Sequence, residues 1–145
     1  MWGKSKFFSK AALLILLSTL SAGFFSCATP QQNPNQNVEI SSPKPVSIFI
    51  AKGLQGQLFV KSVTVRNIKG NTVIQFSVVN EGYNPITFLY KVDVYDINGL
   101  LINYPTLRWV SAQIEPQEER IFKVVIPYKL SQIDKITVKL RQPAN

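Results

Sequence analysis

Apolar and polar residues alternate along most of the chain after residue 46, and this alternation constrains the fold more than any other feature. The clearest case is residues 86–97, ITFLYKVDVYDI, in which Val92 and Val94 share one face while Lys91 and Asp93 take the other. Successive side chains of a β-strand point to opposite faces, so a period of two is the pattern of a half-buried strand. The sequence therefore predicts strands rather than helices.

Segments with this pattern are separated by turn-forming residues about every ten positions, which is typical of a small all-β domain. They cover residues 46–51, 58–68, 72–80, 86–97, 100–104, 106–114, 120–127 and 134–141. We expect a tight hairpin at residues 69–71, a type I′ hairpin turn at Asn98-Gly99, and a single helical turn in residues 128–133. The predicted fold is an all-β, antiparallel, immunoglobulin-like β-sandwich of about 7–8 short strands, with Trp109 in its core.

The first 26 residues have the layout of a secretory signal peptide. Lys4, Lys6 and Lys10 precede an apolar run at residues 11–20, and small residues and phenylalanines follow it. A transmembrane helix needs about 20 apolar residues, so this run is short for a membrane span. A cleaved signal over residues 1–26 is therefore the interpretation, and an uncleaved membrane anchor is the alternative.

The only cysteine, Cys27, stands where the apolar run gives way to a polar stretch, and no second cysteine exists to form a disulfide. The preceding residues, GFFSC, resemble a bacterial lipobox with Ser26 as the small residue before the cysteine, although Phe24 and Phe25 replace the Leu and small residue common there. The resemblance implies that Cys27 becomes the lipidated first residue of the mature chain. An ordinary signal with an incidental cysteine is the alternative. By resemblance to Gram-negative lipoproteins, Ala28 implies sorting to the outer membrane, facing the periplasm.

Residues 28–45 are rich in Pro, Gln, Asn and Ser, and they hold only two isolated large apolar residues, Val38 and Ile40. Such a segment cannot bury enough apolar surface to fold. We therefore expect a flexible tether between the membrane and the folded part. The predicted organisation is a signal peptide (1–26), a lipidated cysteine with a disordered tether (27–45), and a β-sandwich domain (46–145).

The chain is basic, with 16 Lys and Arg against 8 Asp and Glu, which gives a net charge of +8. Three of these cations lie in the signal segment, so the remainder carries 13 against 8, or +5. A basic surface suits an anionic neighbour such as phospholipid or glycan, or it serves solubility alone. No cluster of Arg and Lys interleaves with aromatic residues, so nucleic acid is not an expected partner.

Residues that could carry catalysis are scarce. The chain has no histidine, its one thiol is assigned to lipid, and a serine without a partner base is a poor nucleophile. Asp93 and Asp96 are the nearest carboxylates, but they are predicted to point to opposite faces, and Glu115, Glu118 and Glu119 are predicted to be solvated in a turn. We therefore expect no catalytic residues, no metal site and no cofactor, which favours a non-catalytic binding or structural module of the cell envelope.

Three functional hypotheses follow from the sequence. The first places a contact surface for another envelope protein or a glycan on the loops that bear Tyr83, Tyr104 and Arg108, since tyrosine is enriched where binding energy concentrates. The alternative is that these tyrosines only fill the ends of the sandwich. The second hypothesis is an accessory subunit of a larger envelope or export complex, in which residues 46–51 form an exposed edge strand that pairs with another chain. The third is an unrecognised hydrolase.

The stretch from Asn67 to Arg141 resembles the YcfL-like family of uncharacterised bacterial lipoproteins. The segments that carry the resemblance are FSVVNEGYNPITFLYKVDVYDINGLLI and RWVSAQIEPQEERIFKVVIP. The motif positions are Asn80, Tyr90, Tyr95-Asp96, Gly99-Leu100, Trp109 and Ile126-Pro127. The family often has an aromatic pair where this chain has Val94-Tyr95. The resemblance implies a membrane-tethered periplasmic module linked to peptidoglycan maintenance, and it supplies no catalytic residues.

Overall fold

The structure, a computed structural model, describes residues 37–144 and is built almost entirely of β-strands. Its eight strands are β1 (Glu39–Ser41), β2 (Val46–Ile50), β3 (Leu58–Ile68), β4 (Asn71–Asn80), β5 (Ile86–Asp96), β6 (Val110–Ile114), β7 (Glu119–Ile126) and β8 (Ile133–Arg141). Short 3₁₀ turns cover Lys52–Leu54 and Leu130–Gln132, and the second is the helical turn predicted within residues 128–133. The predicted all-β sandwich is confirmed.

The strands form two four-stranded sheets. Sheet I has the order β1-β3-β4-β7, and sheet II has the order β2-β8-β5-β6. Both sheets are mixed rather than antiparallel, because β1 runs parallel to β3 and β2 runs parallel to β8. Both parallel pairs involve the N-terminal segment, which leaves sheet I after Ser41 and joins sheet II at Val46. Pro43 and Pro45 lie in this crossing, where the missing N–H of proline interrupts ladder pairing.

Ordered structure begins earlier than the sequence analysis predicted. Residues 28–45 were expected to lack regular structure, yet Glu39–Ser41 pairs with β3 from Ser62 to Thr64. Val38 packs against the core, while all three residues of β1 remain exposed. Composition measures what side chains can bury, but a free sheet edge also offers unpaired backbone N–H and C=O groups to any nearby segment.

One of the two predicted hairpin turns is present, and the other has a different geometry. Between β3 and β4 the predicted tight hairpin is present, and Lys69 and Gly70 both have positive φ, as a type I′ turn requires. At Asn98-Gly99 the predicted type I′ turn is wrong, because only Gly99 of the two has positive φ. Asp96 is the physical reason: its carboxylate accepts the N–H groups of Asn98 at 2.8 Å and Leu100 at 2.9 Å, which stabilises a three-residue loop.

The connection after β5 is longer than predicted. Residues 100–104 were expected to form a strand and residues 106–114 another, but β6 begins only at Val110. The chain does return beside β5, through a single bridge between Leu101 and Tyr95 and a hydrogen bond from the Ile102 N–H to the Val94 carbonyl at 2.8 Å. Pro105 then ends any regular pairing because it has no N–H to donate.

An aromatic cluster joins the two sheets at the centre of the core. Phe122 of sheet I stacks on Phe76 at 5.4 Å between ring centroids, and it meets Phe88 and Tyr90 of sheet II at 5.8 Å and 4.8 Å. Trp109, which was predicted to be a core residue, is only half-buried and lies outside this cluster. Trp109 lies directly before β6. Val110 and Ala112 are paired with Tyr90 and Phe88 on the core side of the sheet, and Trp109 is on the opposite side. The core positions of the preceding connection are filled instead by Ile102, Tyr104 and Leu107.

Candidate functional site on the outer face of sheet II

The predicted contact surface of Tyr83, Tyr104 and Arg108 is not assembled. Tyr83 is 92% exposed in the loop between β4 and β5, whereas Arg108 is exposed in the connection between β5 and β6. Tyr104 is only 4% exposed, and its hydroxyl donates a hydrogen bond to the Val92 carbonyl. Burial, together with the nearby charge of Asp93, raises the pKa of the Tyr104 phenol. Tyr104 thus seals the edge of the core, which is the alternative role considered for these tyrosines. The predicted lipidation site, Cys27, lies outside the described residues.

A different group of side chains comes together on the outer face of sheet II. The two central strands of that sheet, β5 and β8, pair in antiparallel register, with Lys91 opposite Lys139, Tyr95 opposite Lys135, and Leu89 opposite Arg141. Alternation places these side chains on the face turned away from the core. We call Lys91, Lys135, Lys139 and Arg141 the cationic face. The outward positions of the four strands carry these four cations and Asp93, and the exposed Asp134 stands beside Lys135 at the register shift of β8, so the net charge of the face is 4 − 2 = +2.

Asp93 organises the middle of the cationic face. It is 2% exposed although it lies on an outer face, because two lysines cover it. Its Oδ2 lies 2.5 Å from Lys139 Nζ, and its Oδ1 lies 3.0 Å from Lys91 Nζ. The Lys91 contact is an ion pair without hydrogen-bond geometry, since Oδ1 has no hydrogen-bond partner. Like charges directly opposite one another destabilise a pair of strands, and Asp93 offsets the repulsion between the two lysines.

The ionisation of this triad follows from its surroundings. Burial disfavours the charged form of Asp93, but the hydrogen bond from Lys139, the contact with Lys91 and the charges of both lysines outweigh burial and hold its pKa below the usual range. The same hydrogen bond to Asp93 raises the pKa of Lys139 against the opposing effect of burial. At neutral pH Asp93 and Lys139 are therefore charged, and the carboxylate is engaged in ion pairs rather than free to accept a proton from a substrate.

Aromatic rings lie beneath two of the outer cations. The guanidinium of Arg141 lies 4.1 Å from the centroid of the Trp109 ring, within the range of a cation–π interaction. Lys135 Nζ lies 6.0 Å from the centroid of the Tyr95 ring, at the limit of that range. Both cations are exposed, so they are oriented by the rings while their charges remain available to a ligand.

Sheet II ends in an exposed apolar hairpin. The loop after β5 places Ile97, Leu100 and Leu101 at its end, with exposures of 70%, 65% and 45%. We call these three residues the apolar tip. Tyr95 forms a β-bridge with Leu101 and is the strand-pairing partner of Lys135 in β8. The apolar tip therefore lies directly beside the cationic face. Sequence alternation did not reveal the tip, because Ile97 was assigned to the end of the strand over residues 86–97, and Leu100 and Leu101 to the returning strand over residues 100–104.

The predicted edge position of residues 46–51 is confirmed. Within the described chain β2 pairs with β8 alone, so its other side carries a free row of backbone groups. Phe49 projects from this strand opposite Lys139 and is largely exposed. Sheet II therefore has a free edge beside the cationic face.

Two carboxylates outside the cationic face have structural partners. The Asp96 carboxylate holds the loop after β5, as described above, and the Glu118 carboxylate accepts the Glu115 N–H at 2.8 Å and contacts Arg120. That backbone hydrogen bond, followed by the charge of Arg120, lowers the pKa of Glu118. Over residues 37–144, His, Cys, Asp and Glu side chains form no group of three that could hold a metal ion. None of the helical segments among these residues is long and apolar enough to cross a membrane.

The fold of this chain is found in other bacterial proteins. It is similar to the crystal structure of a DUF1425 family member from Shewanella sp. pv-4, with a TM-score of 0.53 and 17% identity over 61% of this chain and 80% of that one. It is also similar to the Campylobacter jejuni protein Cj0090, with a TM-score of 0.51 and 17% identity over 67% of this chain and 98% of that one. No protein-family model matches the sequence, and no curated protein matches it. At this identity the likeness shows the fold alone.

Proposed function

We propose that this protein is a lipid-anchored module of the bacterial cell envelope, related to the YcfL-like lipoproteins, and that its β-sandwich binds rather than catalyses. The N-terminal sequence supports the anchor, since Cys27 follows a short apolar segment and a lipobox-like GFFSC. The fold supports the relationship, because one structure of similar fold is a DUF1425 family member from a bacterium. In this proposal the domain faces the periplasm, bound to the outer membrane through lipid on Cys27.

The observation that carries the binding role is the cationic face. Four cations outnumber the two carboxylates on this sheet face, and two of the cations are held over aromatic rings. A net positive surface of this kind attracts anionic partners. The face therefore suits an anionic partner in the envelope, where peptidoglycan maintenance is the setting that the YcfL-like resemblance implies.

The anchor is tested by mass spectrometry of the protein extracted from native membranes. We expect a mature chain that begins at Cys27 and carries acyl groups, with residues 1–26 removed. Cys27→Ser should abolish acylation and leave the protein in the soluble envelope fraction or unprocessed. A peptide that runs uncleaved and unmodified through residues 20–30 would contradict the anchor.

The binding face is tested by cross-linking in the native envelope. Lys135→Glu with Arg141→Glu reverses two exposed charges of the cationic face without touching Asp93 or its two lysines. The matched control is Arg66→Glu with Lys123→Glu, which reverses two exposed charges on sheet I. We expect the first pair to lose cross-linked partners that the control retains. Equal partners in both variants would contradict a binding role for this face, and turnover in a broad hydrolase screen would contradict the non-catalytic assignment.

A second candidate function is an accessory subunit that pairs through β2. The free edge of this strand favours it, because an exposed edge is a template for an added strand. Phe49→Lys places a charge on the edge strand, which blocks pairing with another chain, whereas Ile121→Lys does the same on β7 and serves as the control. Loss of a partner with the first variant only, in a protein that still folds, would favour this candidate.

A further inference from the structure

The apolar tip is not accounted for by the fold. Single exposed apolar residues are ordinary on protein surfaces, but three of them within five positions on a projecting loop are not. The loop does not need them, because it is stabilised by the Asp96 carboxylate and by the positive φ of Gly99. Asn98 and Gly99 already supply the turn chemistry, so polar residues would serve equally well at the flanking positions.

The neighbours of the apolar tip are charged and aromatic. Tyr95 lies at the base of the tip and Lys135 lies over its ring. The Asp96 carboxylate of the same loop accepts the N–H groups of Asn98 and Leu100, so the loop itself engages this negative charge. Beyond Lys135 the cationic face continues along the outer side of β5 and β8. A cation-rich surface that ends in projecting aliphatic side chains, with a tyrosine at the boundary, has the same order of layers as an anionic membrane surface: charged head groups outside, hydrocarbon inside.

We propose that the apolar tip enters the interfacial region of a bilayer rich in anionic phospholipids while the cationic face lies against the head groups. This inference rests on the proposed function, which brings the protein to a membrane. The observations that support it are the apolar tip and the charges of the cationic face, and neither depends on the lipid anchor. Lys and Arg near such a surface each strengthen binding by about fivefold. The net positive charge of the face therefore strengthens binding, with Lys135 and Arg141 as its exposed cations, and the tip supplies depth and orientation.

The length of chain before the described residues permits this arrangement. Nine residues lie between Cys27 and Asn37, and the ten residue steps from one to the other span at most about 33–36 Å when fully extended. The two sheets of a sandwich lie about 10 Å apart, so a chain of this length reaches past the domain to either face. A lipid on Cys27 would therefore hold the domain close to the bilayer without preventing sheet II from turning toward it.

The test uses a chain that begins at residue 28, which lacks the anchor and the apolar leader. The strands described for residues 37–144 lie within residues 39–141, and their core residues lie within residues 38–140, so this chain keeps all of the described fold. Binding is measured by co-sedimentation with vesicles of phosphatidylglycerol mixed with phosphatidylcholine, and with vesicles of phosphatidylcholine alone. We expect binding to the anionic vesicles only, and we expect added salt to weaken it.

The tip is tested by changing Ile97, Leu100 and Leu101 to serine. We expect the partition coefficient for anionic vesicles to fall by about tenfold, since interfacial binding scales with the apolar area that is buried. The matched control is Ile121→Ser with Val125→Ser, two similarly exposed apolar residues on sheet I, which should bind as the parent does. Leu100→Trp adds a depth reporter, and its fluorescence should be quenched by brominated lipid in anionic vesicles.

Several outcomes would overturn the proposal. Equal binding by the tip variant and the parent would show that the tip does not enter the membrane. Equal loss in the sheet I control would show that the effect is general hydrophobicity. Binding to isolated peptidoglycan through the cationic face, with no binding to anionic vesicles, would replace phospholipid by an anionic glycan while leaving the proposed binding role intact. The acylation of Cys27 is measured separately, so its failure would remove the anchor without deciding the outcome for the tip.

Discussion

The two outer faces of this sandwich differ, although the inner faces of the same strands contribute to one common core. On sheet I the outward positions of neighbouring strands are mostly small, polar or aliphatic, and Ser62 and Ser77 pair through their hydroxyls at 3.0 Å. Its ion pairs are at the surface: Lys61 lies 3.7 Å from Glu119, and Arg120 lies 3.2 Å from Glu118. On sheet II the outward positions gather four cations around a buried carboxylate. Sheet I shows that such a face is stable without clustered charge.

The difference between the two faces shows which positions are constrained by core packing and which are not. The aromatic cluster of Phe76, Phe88, Tyr90 and Phe122 draws on both sheets and fixes their inner faces. Outward side chains do not enter that core, so their chemistry is free to differ between the sheets. The charged face of sheet II is therefore the part of the molecule that needs a functional explanation, and four predictions test how it differs from the rest.

The largest effect is expected from placing a carboxylate one residue away from Asp93. Val92 points into the core and is almost fully buried, without a cation to pair with a charge there. Val92→Asp should prevent folding, because an unpaired charge in an apolar interior is far more costly than the few kcal/mol by which a small domain is stable. Circular dichroism and denaturant unfolding measure this loss.

The control for that substitution lies on the same strand. Thr87→Asp adds the same charge at an exposed outward position and should change the free energy of unfolding by less than about 0.5 kcal/mol. If Val92→Asp folded with the stability of the parent, the core position assigned to Val92 would be wrong.

The second prediction concerns Asp93 itself. Asp93→Asn removes the negative charge between Lys91 and Lys139, which then face each other across the strand pair. The partial exposure of the two lysines lets them turn toward water, so we expect a loss of about 1–3 kcal/mol in the free energy of unfolding rather than loss of the fold. Urea denaturation measures it.

A compensated variant sharpens this result. Changing Asp93, Lys91 and Lys139 together to valine should restore most of the stability, since a well-packed apolar set often replaces a buried ion-pair network without loss. The same variant should lose the binding of the cationic face. A variant that regained stability and still bound anionic vesicles as strongly as the parent would separate the triad from binding altogether.

The third prediction is the pH dependence of the triad. Because the folded-state pKa of Asp93 is lowered, its contribution to stability is present above the unfolded pKa of about 4 and is lost as pH falls through the folded pKa. The difference in unfolding free energy between the parent and Asp93→Asn should therefore be constant near neutral pH and shrink below about pH 4.

The raised pKa of Lys139 gives a pH dependence of stability in the opposite direction. Its contribution is fully present below the unfolded pKa of about 10.4 and is lost as pH rises through the higher folded value. Urea denaturation over a pH series measures both limits. A difference between parent and variant that did not change across the acid range would show that the Asp93 carboxylate gains nothing from its lysines in the folded state.

Much of the sandwich could be predicted from alternation, because half-buried strands repeat their burial every second residue. The bounds of β3 agree with the prediction, β4, β5 and β8 differ by one residue at one end, and β7 is shifted by one residue at both ends. Alternation did not predict segments whose backbone conformation does not depend on side-chain burial. β1 forms through backbone pairing at a free edge, and residues 97–109 follow β5 irregularly, so Tyr104 was placed on the surface although it is buried.

The candidate site was harder to predict, because it depends on which strands are neighbours. Asp93 stands at a polar position of β5, and nothing local shows that it is buried. A signal was present, since Lys91 precedes it by two residues and the polar positions of β8 include Lys135 and Lys139. Only the pairing of β5 with β8, in its particular register, brings these residues together across the sheet. The net charge predicted an anionic neighbour in general terms but not the face that would meet it.

The smallest effect is expected at the edge of the cationic face. Arg141→Gln removes the cation over the Trp109 ring and should lower the free energy of unfolding by about 0.5–1 kcal/mol, the usual size of an exposed cation–π interaction. Trp109 fluorescence should shift toward longer wavelengths as the ring becomes more hydrated. Lys135→Gln is the matched comparison, because its contact with Tyr95 lies at 6.0 Å and should change stability by less than about 0.5 kcal/mol. Equal effects of the two substitutions on stability would show that the stacking of Arg141 on Trp109 contributes no more than a surface charge does.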